Sequence, residues 1–130
     1  MFDMYVFTED TLENIEQDQE ITGFQMQTLI TYYRGIPCSM VHDISVSVDG
    51  EQIPREQIRF SPDQETFFTL DELETVTSYK WEYGAQAIVR VIMPGGLSKG
   101  EHEVSLTTTI RVAYIPVPFS GTRIRNVKIA

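Results

Sequence analysis

Two histidines are the most obvious candidates for acid–base or metal chemistry in this sequence. His42 and His102 are its only histidines, and neither has the H-x-H or H-x-x-x-H spacing that brings two imidazoles to one metal ion. Either ring could pair with Asp43, Glu101 or Glu103, since alternate residues of a strand share a face. Adjacency is the sole support for such a dyad. We therefore interpret both histidines as surface or strand-end residues, and we predict no metal site and no catalytic group in this chain.

The other reactive side chains also favour structural interpretations. Cys38 is the only cysteine, and without a histidine and an amide to activate it, it is typical of a small, partly buried thiol. Asp71, Glu72 and Glu74 could supply a general acid and base, but a solvated acidic loop is the commoner arrangement. Gly95-Gly96 lacks the strand, helix and lysine of a phosphate-binding loop, so it predicts a turn.

The elements that must position these residues are strands, because apolar and polar residues alternate along most of the chain. The longest predicted strand is 101–115, where Val104, Leu106, Thr108 and Ile110 share one face. Shorter strands are predicted at 24–30, 44–48, 58–60, 67–70, 79–93 and 124–129.

The residues between the runs are typical of turns. Asp49-Gly50 predicts a tight hairpin, Pro94-Gly95-Gly96 a turn, and residues 71–75 one helical turn or a loop. Within the 79–93 run, Ile88 and Ile92 lie on the face opposite the other apolar residues, which predicts a strand covered on both sides. The pattern as a whole predicts one domain over residues 1–130, an all-β antiparallel β-sandwich of seven to eight strands, immunoglobulin-like or jelly-roll-like.

Composition restricts the partners and the location. The formal net charge of −9 repels phosphate backbones, so we expect no nucleic acid partner. Arg123, Arg125 and Lys128 indicate either a solvated edge strand with charged protection or a basic tail docked on an acidic neighbour. No apolar run approaches the roughly 20 residues that span a bilayer, and residues 1–5 show no secretory signal. With a single cysteine, these features predict a cytoplasmic protein without a membrane segment.

Aromatic residues at predicted strand ends are the candidates for a binding surface. Large rings with a polar tip are enriched at protein interfaces and at clefts that bind sugars or rings. A monomer would not leave irregular apolar segments such as 32–37 and 114–119 bare, so a partner surface explains them. The residues predicted to lie near substrate or at a subunit interface are Tyr32, Tyr33, Arg34, Trp81, Tyr83, Tyr114 and Phe119.

Segments in a specific order along nearly the whole chain resemble the small β subunit of bacterial C-glycoside deglycosidases. Each turn motif by itself is common in any sandwich, but the order and spacing together are fairly specific. The segments include Gly23-Phe24-Gln25, Tyr32-Tyr33-Arg34-Gly35, Val48-Asp49-Gly50-Glu51, Ile53-Pro54-Arg55-Glu56, Trp81-Glu82-Tyr83-Gly84, Pro94-Gly95-Gly96-Leu97 and Gly100-Glu101-His102-Glu103-Val104.

This resemblance implies a subunit of a heteromeric lyase that acts on plant flavonoid C-glucosides previously oxidised to 3-keto sugars. In the family, a base removes the proton beside the ketone and the carbon–carbon bond to the aglycone breaks by β-elimination. The α subunit resembles a sugar-isomerase barrel and holds a divalent metal, taken to be manganese, with the acid and base residues. The β subunit is a sandwich docked against it, and it is expected to hold no cofactor.

The resemblance also suggests a role for the loop at Tyr32-Tyr33-Arg34. We expect Arg34 to position the ketosugar or the phenolate leaving group, and the tyrosines to stack on a flavonoid ring. Two alternatives remain: a stand-alone carbohydrate-binding sandwich without catalysis, and a purely structural or adhesin-like module. The cytosolic character and the order of the motifs disfavour both.

Overall fold

Antiparallel β-strands form most of the fold in the computed structural model, which describes residues 6–30, 35–82, 84–111 and 119–129. The described strands are β1 (Glu13–Gln17), β2 (Glu20–Thr28), β3 (Ile36–Pro37), β4 (Val41–Val48), β5 (Glu51–Gln52), β6 (Ile58–Ser61), β7 (Phe68–Thr69), β8 (Lys80–Trp81), β9 (Ala87–Ile92), β10 (Gly100–Ile110) and β11 (Phe119–Ile129). One short α-helix in the described residues, α1 (Leu70–Leu73), follows β7, and single 3-10 turns occur at Cys38–Met40 and Arg55–Gln57.

The first sheet has the strand order β1-β2-β9-β6-β7 and is antiparallel throughout. Phe24 on β2 lies opposite Val91 on β9, and both side chains are buried. The next pair along, Gln25 and Arg90, lies on the other face because side chains alternate along a strand. The first sheet therefore has one apolar inner face and one outer face that carries polar and charged groups.

The second sheet has the order β11-β10-β4-β5. Leu106 on β10 lies opposite Val46 on β4, and both are fully buried. Ser105 and Thr107, which flank Leu106 on β10, lie on the outer face, because side chains alternate along a strand. The hairpin from β4 to β5 turns at Asp49 and Gly50, whose φ angles are 51° and 86°. Positive φ at both central residues is what a two-residue hairpin of this twist requires.

The inner faces of the two sheets pack against each other in one hydrophobic cluster. The largest fully buried side chains include Trp81, Phe7, Phe24, Phe60 and Met26, and they belong to the same cluster as the inner residues of β4 and β10. The single turn of α1 is stabilised by a capping box, in which the Thr69 side chain accepts from the Glu72 backbone N–H and the Glu72 carboxylate accepts from Thr69 N–H.

The predicted sandwich is confirmed, together with the Asp49-Gly50 hairpin and the turn at Gly95-Gly96, whose φ angles are both positive. Seven of the described strands are four residues or longer, in line with the predicted number, and the other four have two residues each. The helical turn predicted within 71–75 begins one residue earlier, at Leu70.

Several boundaries were predicted wrongly. β1 was not expected, and β11 begins at Phe119 rather than at residue 124. β10 ends at Ile110 instead of continuing to 115, and residues 112–115 lie outside the described ranges. β9 is covered on both faces at its start, where Ile88 is 6% exposed, but not at its end, where Ile92 is 39% exposed. The 62–67 loop lies over the start of β9, where Gln64 Nε2 donates to the Gln86 carbonyl at 2.8 Å.

Candidate functional site

A small two-stranded sheet holds together two parts of the chain that sequence analysis placed near substrate. β3 pairs with β8 in antiparallel register, with Ile36 opposite Trp81. A Cβ added to Gly35 would lie 2.9 Å from the Trp81 carbonyl oxygen and 3.2 Å from Glu82 Cα, so this close approach requires glycine. Residues 35 and 82, which adjoin the 31–34 segment and residue 83, therefore lie side by side.

Trp81 is the one predicted site residue whose side chain the structure describes, and it lies in the core. The indole has no exposed surface and packs edge-on against Phe60, with ring centroids 5.1 Å apart and planes 65° apart. Among the residues that the structure describes, its Nε1–H has no hydrogen-bond acceptor. The Trp81 side chain thus anchors β8, and with it the small sheet, to the core. Outside the described residues or side chains lie Tyr32, Tyr33, Arg34, Tyr83, Tyr114 and Phe119, and their roles stay predictions.

An exposed aromatic pair that was not predicted lies next to the small sheet. Tyr79 is 39% exposed and meets the Phe68 ring edge-to-face at 5.3 Å between centroids. The Tyr79 carbonyl accepts a hydrogen bond from Cys38 N–H (2.9 Å), which ties the residue to the end of β3. The alternating run 79–93 predicted only a strand at this point, and no separate pattern marked Tyr79 as a surface ring.

The outer face of the first sheet carries a group of side chains that we call the arginine face: Arg90, Arg59, Gln25, Phe67 and Ile92. Arg90 and Arg59 lie directly opposite each other on β9 and β6. The Arg90 guanidinium lies 3.9 Å from the centroid of the Phe67 ring, and its Nε and Nη2 both donate to Gln25 Oε1, at 3.1 and 2.9 Å. Gln25 in turn donates to Glu13 Oε1 at 3.3 Å.

The charge on Arg90 is partly desolvated. Burial lowers the pKa of its guanidinium, but arginine stays protonated in proteins because its ordinary pKa lies above about 12. In the described part of the chain, no carboxylate forms an ion pair with Arg90 or with Arg59. Burying a cation without an opposite charge costs free energy, so an external carboxylate would stabilise the partly buried Arg90 guanidinium.

His102 forms the dyad that adjacency suggested, but with a different carboxylate. Its Nδ1 lies 2.8 Å from Asp49 Oδ2, and its Nε2 lies 2.8 Å from the Ser98 carbonyl oxygen. Asp49 Oδ1 also accepts from Glu103 N–H at 2.8 Å. Both ring nitrogens face acceptors, which is the arrangement of a protonated imidazole that joins the β4–β5 turn to the loop before β10.

The electrostatics of this pair are those of a clamp rather than of a general base. Hydrogen bonds to Asp49 and to the Ser98 carbonyl raise the pKa of His102. Backbone donation from Glu103, followed by the bond to His102, lowers the pKa of Asp49. A pocket of about 400 Å³ lies beside them, but a base needs a free lone pair directed at the substrate. Asp49 was missed because the carboxylate lies far away in sequence, at a hairpin turn.

The other residues with reactive side chains occupy structural positions. Cys38 is fully buried, and desolvation, followed by the charge of Asp63, raises the pKa of its thiol to about 11. Such a thiol is a poor nucleophile, because the thiolate is the reactive form. His42 Nδ1 accepts from Arg111 Nε at 2.9 Å. Asp71 pairs with Arg55 at 3.0 Å.

The described ranges offer neither a cluster of metal ligands nor a helix suited to cross a membrane. They contain no group of three or more histidine, cysteine, aspartate or glutamate side chains that could hold a metal ion. In the same ranges, no helix combines the length and the apolar character needed to cross a bilayer. The location of the metal predicted for a partner subunit stays a prediction.

Fold and surface together define an all-β sandwich with an exposed Tyr79 ring at one end and a basic face that lacks a carboxylate partner among the described residues. Comparison with known sequences identifies the family: a sequence model of the C-glycoside deglycosidase beta subunit family matches residues 2–114. The chain belongs to this family. The match ends before β11 begins.

Curated relatives agree with the family. The C-glycoside deglycosidase beta subunit of Eubacterium cellulosolvens is 33% identical over 97 residues, which are 75% of this chain and 65% of that protein. The 3'-dehydrocarminate deglycosidase beta subunit of a Microbacterium species is 30% identical over 118 residues, which are 90% of this chain and 83% of that protein. The C-glycoside deglycosidase beta subunit of Arthrobacter globiformis is 25% identical over 122 residues, 88% and 92% of the two chains. The matched region thus spans just under two thirds of the Eubacterium relative.

Proposed function

We propose that this chain is the small subunit of a cytoplasmic, heteromeric C-glycoside deglycosidase, a carbon–carbon lyase acting on 3-keto C-glucosides of plant flavonoids. The observation that carries the proposal is the family match, which covers most of the chain. One relative is named a 3'-dehydrocarminate deglycosidase beta subunit, and that name supports an oxidised sugar as substrate.

The proposed reaction needs a base, an electrophile and a leaving group. A ketone at sugar C3 acidifies the C–H at C2, so a base removes that proton and the bond from C1 to the aglycone breaks. The electron pair leaves with the aglycone carbon, which is reprotonated, and the sugar becomes an enone. In the proposed complex, the α subunit, with a fold like a sugar-isomerase barrel, supplies the base and a divalent metal, manganese, that polarises the ketone.

The role proposed for this chain is to wall one side of the partner's active site. The Tyr32-Tyr33-Arg34 segment forms the wall, and the small sheet supports it. Three features favour this end of the molecule: the backbone contact at Gly35, the buried Trp81 beneath it, and the exposed Tyr79 beside it. Arg34 positions the ketosugar or the phenolate, and the tyrosines stack on the aglycone.

Co-expression with the sugar-isomerase-like partner tests the assignment. We expect the two chains to co-elute in size exclusion, and aglycone to be released from a 3-keto C-glucoside with manganese by the complex only. If this chain elutes alone as a stable monomer and adds nothing to activity, the deglycosidase proposal fails. Retention of glycans by the isolated chain would then favour a carbohydrate-binding module.

Arg34→Ala tests the proposed wall. With assembly intact, we expect kcat to fall by about tenfold or more, because a charged donor to the developing negative charge is lost. Arg34→Lys should recover part of the loss, since it restores the charge without the planar fork. Arg123→Ala on β11 is the matched control and should leave kcat unchanged. Wild-type kinetics in the assembled Arg34→Ala complex would reject the role.

A further inference from the structure

We infer that the arginine face is the surface by which this chain binds the acidic side chains of its catalytic partner. The inference rests on the proposed function, since it names the contact surface of the same complex. It states which side of the sandwich meets the α subunit and which chemistry that subunit must present there: a carboxylate aimed at Arg90 and Arg59, bordered by apolar groups.

The first support is an imbalance of charge on this face. The chain has 19 acidic and 10 basic residues, yet two guanidinium groups lie directly opposite each other at the Arg59–Arg90 pair. Like charges directly across a strand pair are destabilising. Hydrogen bonds with Thr69, and to a smaller extent the charge of Arg59, lower the pKa of Glu72, and one oxygen of its carboxylate accepts from the Thr69 backbone N–H at 2.7 Å. An external carboxylate would compensate both cations.

The second support is the number of unused donors. A guanidinium carries five N–H groups in a planar fork. Arg90 directs Nε and Nη2 at a single oxygen of Gln25, and no acceptor for Nη1 occurs in the described ranges. Arg59 donates through Nη1 to the Glu56 and Ile58 carbonyls, at 2.7 and 3.2 Å, which leaves its Nε and Nη2 available. Carboxylates bind such forks in a bidentate manner.

The third support is preorganisation. The Arg90 guanidinium is stacked on Phe67 at 3.9 Å and anchored by Gln25, which is itself held by Glu13. A side chain fixed before binding loses little rotamer entropy when the partner arrives. An arginine that served only to cover the sheet would not need this fixed orientation together with free N–H groups.

The surroundings decide between possible occupants. A second copy of this chain would oppose arginine to arginine, and nucleic acid is repelled by the net charge of −9. Ile92, 39% exposed, lies two residues from Arg90 on the same face of β9, beside Gly23 on β2. An apolar rim beside a charged centre is typical of protein interfaces. Phe67 borders this face and the next residue, Phe68, contacts Tyr79, so the arginine face adjoins the small-sheet end.

Binding of purified variants to the purified α subunit, measured at several salt concentrations, tests the inference. We expect Arg90→Gln to raise Kd by about tenfold or more, Arg90→Lys to raise it less, and Arg59→Gln to act in the same direction. The salt dependence of Kd should be weaker in each glutamine variant. Lys99→Gln, which removes an exposed cation in the loop before β10, is the control and should bind like wild type.

Loss of folding must be separated from loss of contact. Thermal melting of each free variant shows whether it is folded, and Arg59→Gln decides if Arg90→Gln does not fold, because Arg59 donates only to backbone carbonyls among the described residues. Wild-type Kd in the folded glutamine variants would overturn the inference. That result would leave the deglycosidase proposal intact if the wild-type complex still assembles and releases aglycone, so the two failures are distinguishable.

Discussion

The outer faces of the two sheets differ in how far their side chains satisfy one another. The outer face of the second sheet, which we call the hydroxyl face, carries Ser45, Ser105, Thr107, Thr109 and Ser120. Its hydroxyl groups pair across strands: Thr109 Oγ1 lies 2.7 Å from Ser120 Oγ, and Gln52 Nε2 donates to Ser45 Oγ at 2.7 Å. These short, uncharged groups are neutral and solvated.

The arginine face has the opposite character. It presents large side chains, two cations without a described carboxylate partner, and N–H groups left over after the internal hydrogen bonds are made. The same scaffold therefore has one face whose central hydroxyl groups pair across strands and one whose central cations lack a described carboxylate partner. From this difference we infer that cations without a carboxylate partner, and not exposed apolar area alone, indicate where this sandwich binds another protein.

A matched pair of exposed isoleucines offers the sharpest test of this comparison. Ile92 lies on the arginine face and is 39% exposed, and Ile124 lies opposite Ser105 on the hydroxyl face and is 57% exposed. We expect Ile92→Asp to raise Kd for the α subunit by about tenfold or more. The new carboxylate would repel the partner's carboxylate beside Arg90, and it would lose its bound water when the interface forms. Ile124→Asp should leave Kd unchanged.

Both substitutions should alter the free energy of unfolding of the free chain by only about 0.5 kcal/mol, since exposed positions tolerate change. Differential scanning fluorimetry on the free chains checks this. A larger effect of Ile124→Asp than of Ile92→Asp on Kd would reverse the comparison.

A second, smaller effect concerns the hydroxyl face itself. Removing the Thr109–Ser120 hydrogen bond with Thr109→Val and Ser120→Ala should cost about 1 kcal/mol or less, because such cross-strand pairs are weak. A double-mutant cycle by urea denaturation measures the coupling. Binding to the α subunit should not respond, and a loss of affinity in the double variant would mean that this face also takes part in assembly.

The smallest effect is a pH dependence at the His102–Asp49 clamp, which joins the β4–β5 turn to the loop before β10. The pKa of His102 is raised, so its contribution to stability is complete below the ordinary histidine pKa of about 6.5 and is lost as the pH rises through the raised value. The pKa of Asp49 is lowered, so its contribution is present above about 3.9 and is lost as the pH falls through the lowered value.

The difference in Tm between wild type and His102→Gln should therefore be largest between about pH 4 and 6.5 and should shrink toward alkaline pH. A set of melting curves across this range checks the prediction. Ile124→Gln, an exposed position without a titratable group, is the control and should show no such trend. A constant difference at all pH values would show that the His102–Asp49 bond contributes no linked proton.

Alternation and turn residues were enough to predict much of the fold. The inward positions of β10 and the positive φ at Gly50 follow from local rules, because burial on one face and a tight hairpin each leave a direct pattern. β1 was missed since 13–17 is mostly polar and pairs only at a sheet edge. The end of β10 was placed too late because the apolar pattern continues past Ile110 while the strand does not.

The candidate site was harder to predict, since it depends on which strands become neighbours. No local pattern marks Arg90 as important. Its setting arises only in the fold, where β6 places Arg59 opposite it and the 62–67 loop places the Phe67 ring against its guanidinium. Asp49, the partner of His102, is likewise 53 residues away in the chain, and the strands β5 to β9 lie between them in sequence. Trp81 could be recognised as a large amphipathic ring, but not assigned to the core.

Hydroxyl-radical footprinting of the free chain and of the purified αβ complex, resolved by mass spectrometry, tests most directly that this subunit meets its partner through the arginine face. Assembly should reduce oxidation of Phe67 and Ile92 several-fold and leave Ile124 as reactive as in the free chain. Unchanged oxidation of Phe67 and Ile92, with protection confined to Ile124 and the hydroxyl face, would contradict the account.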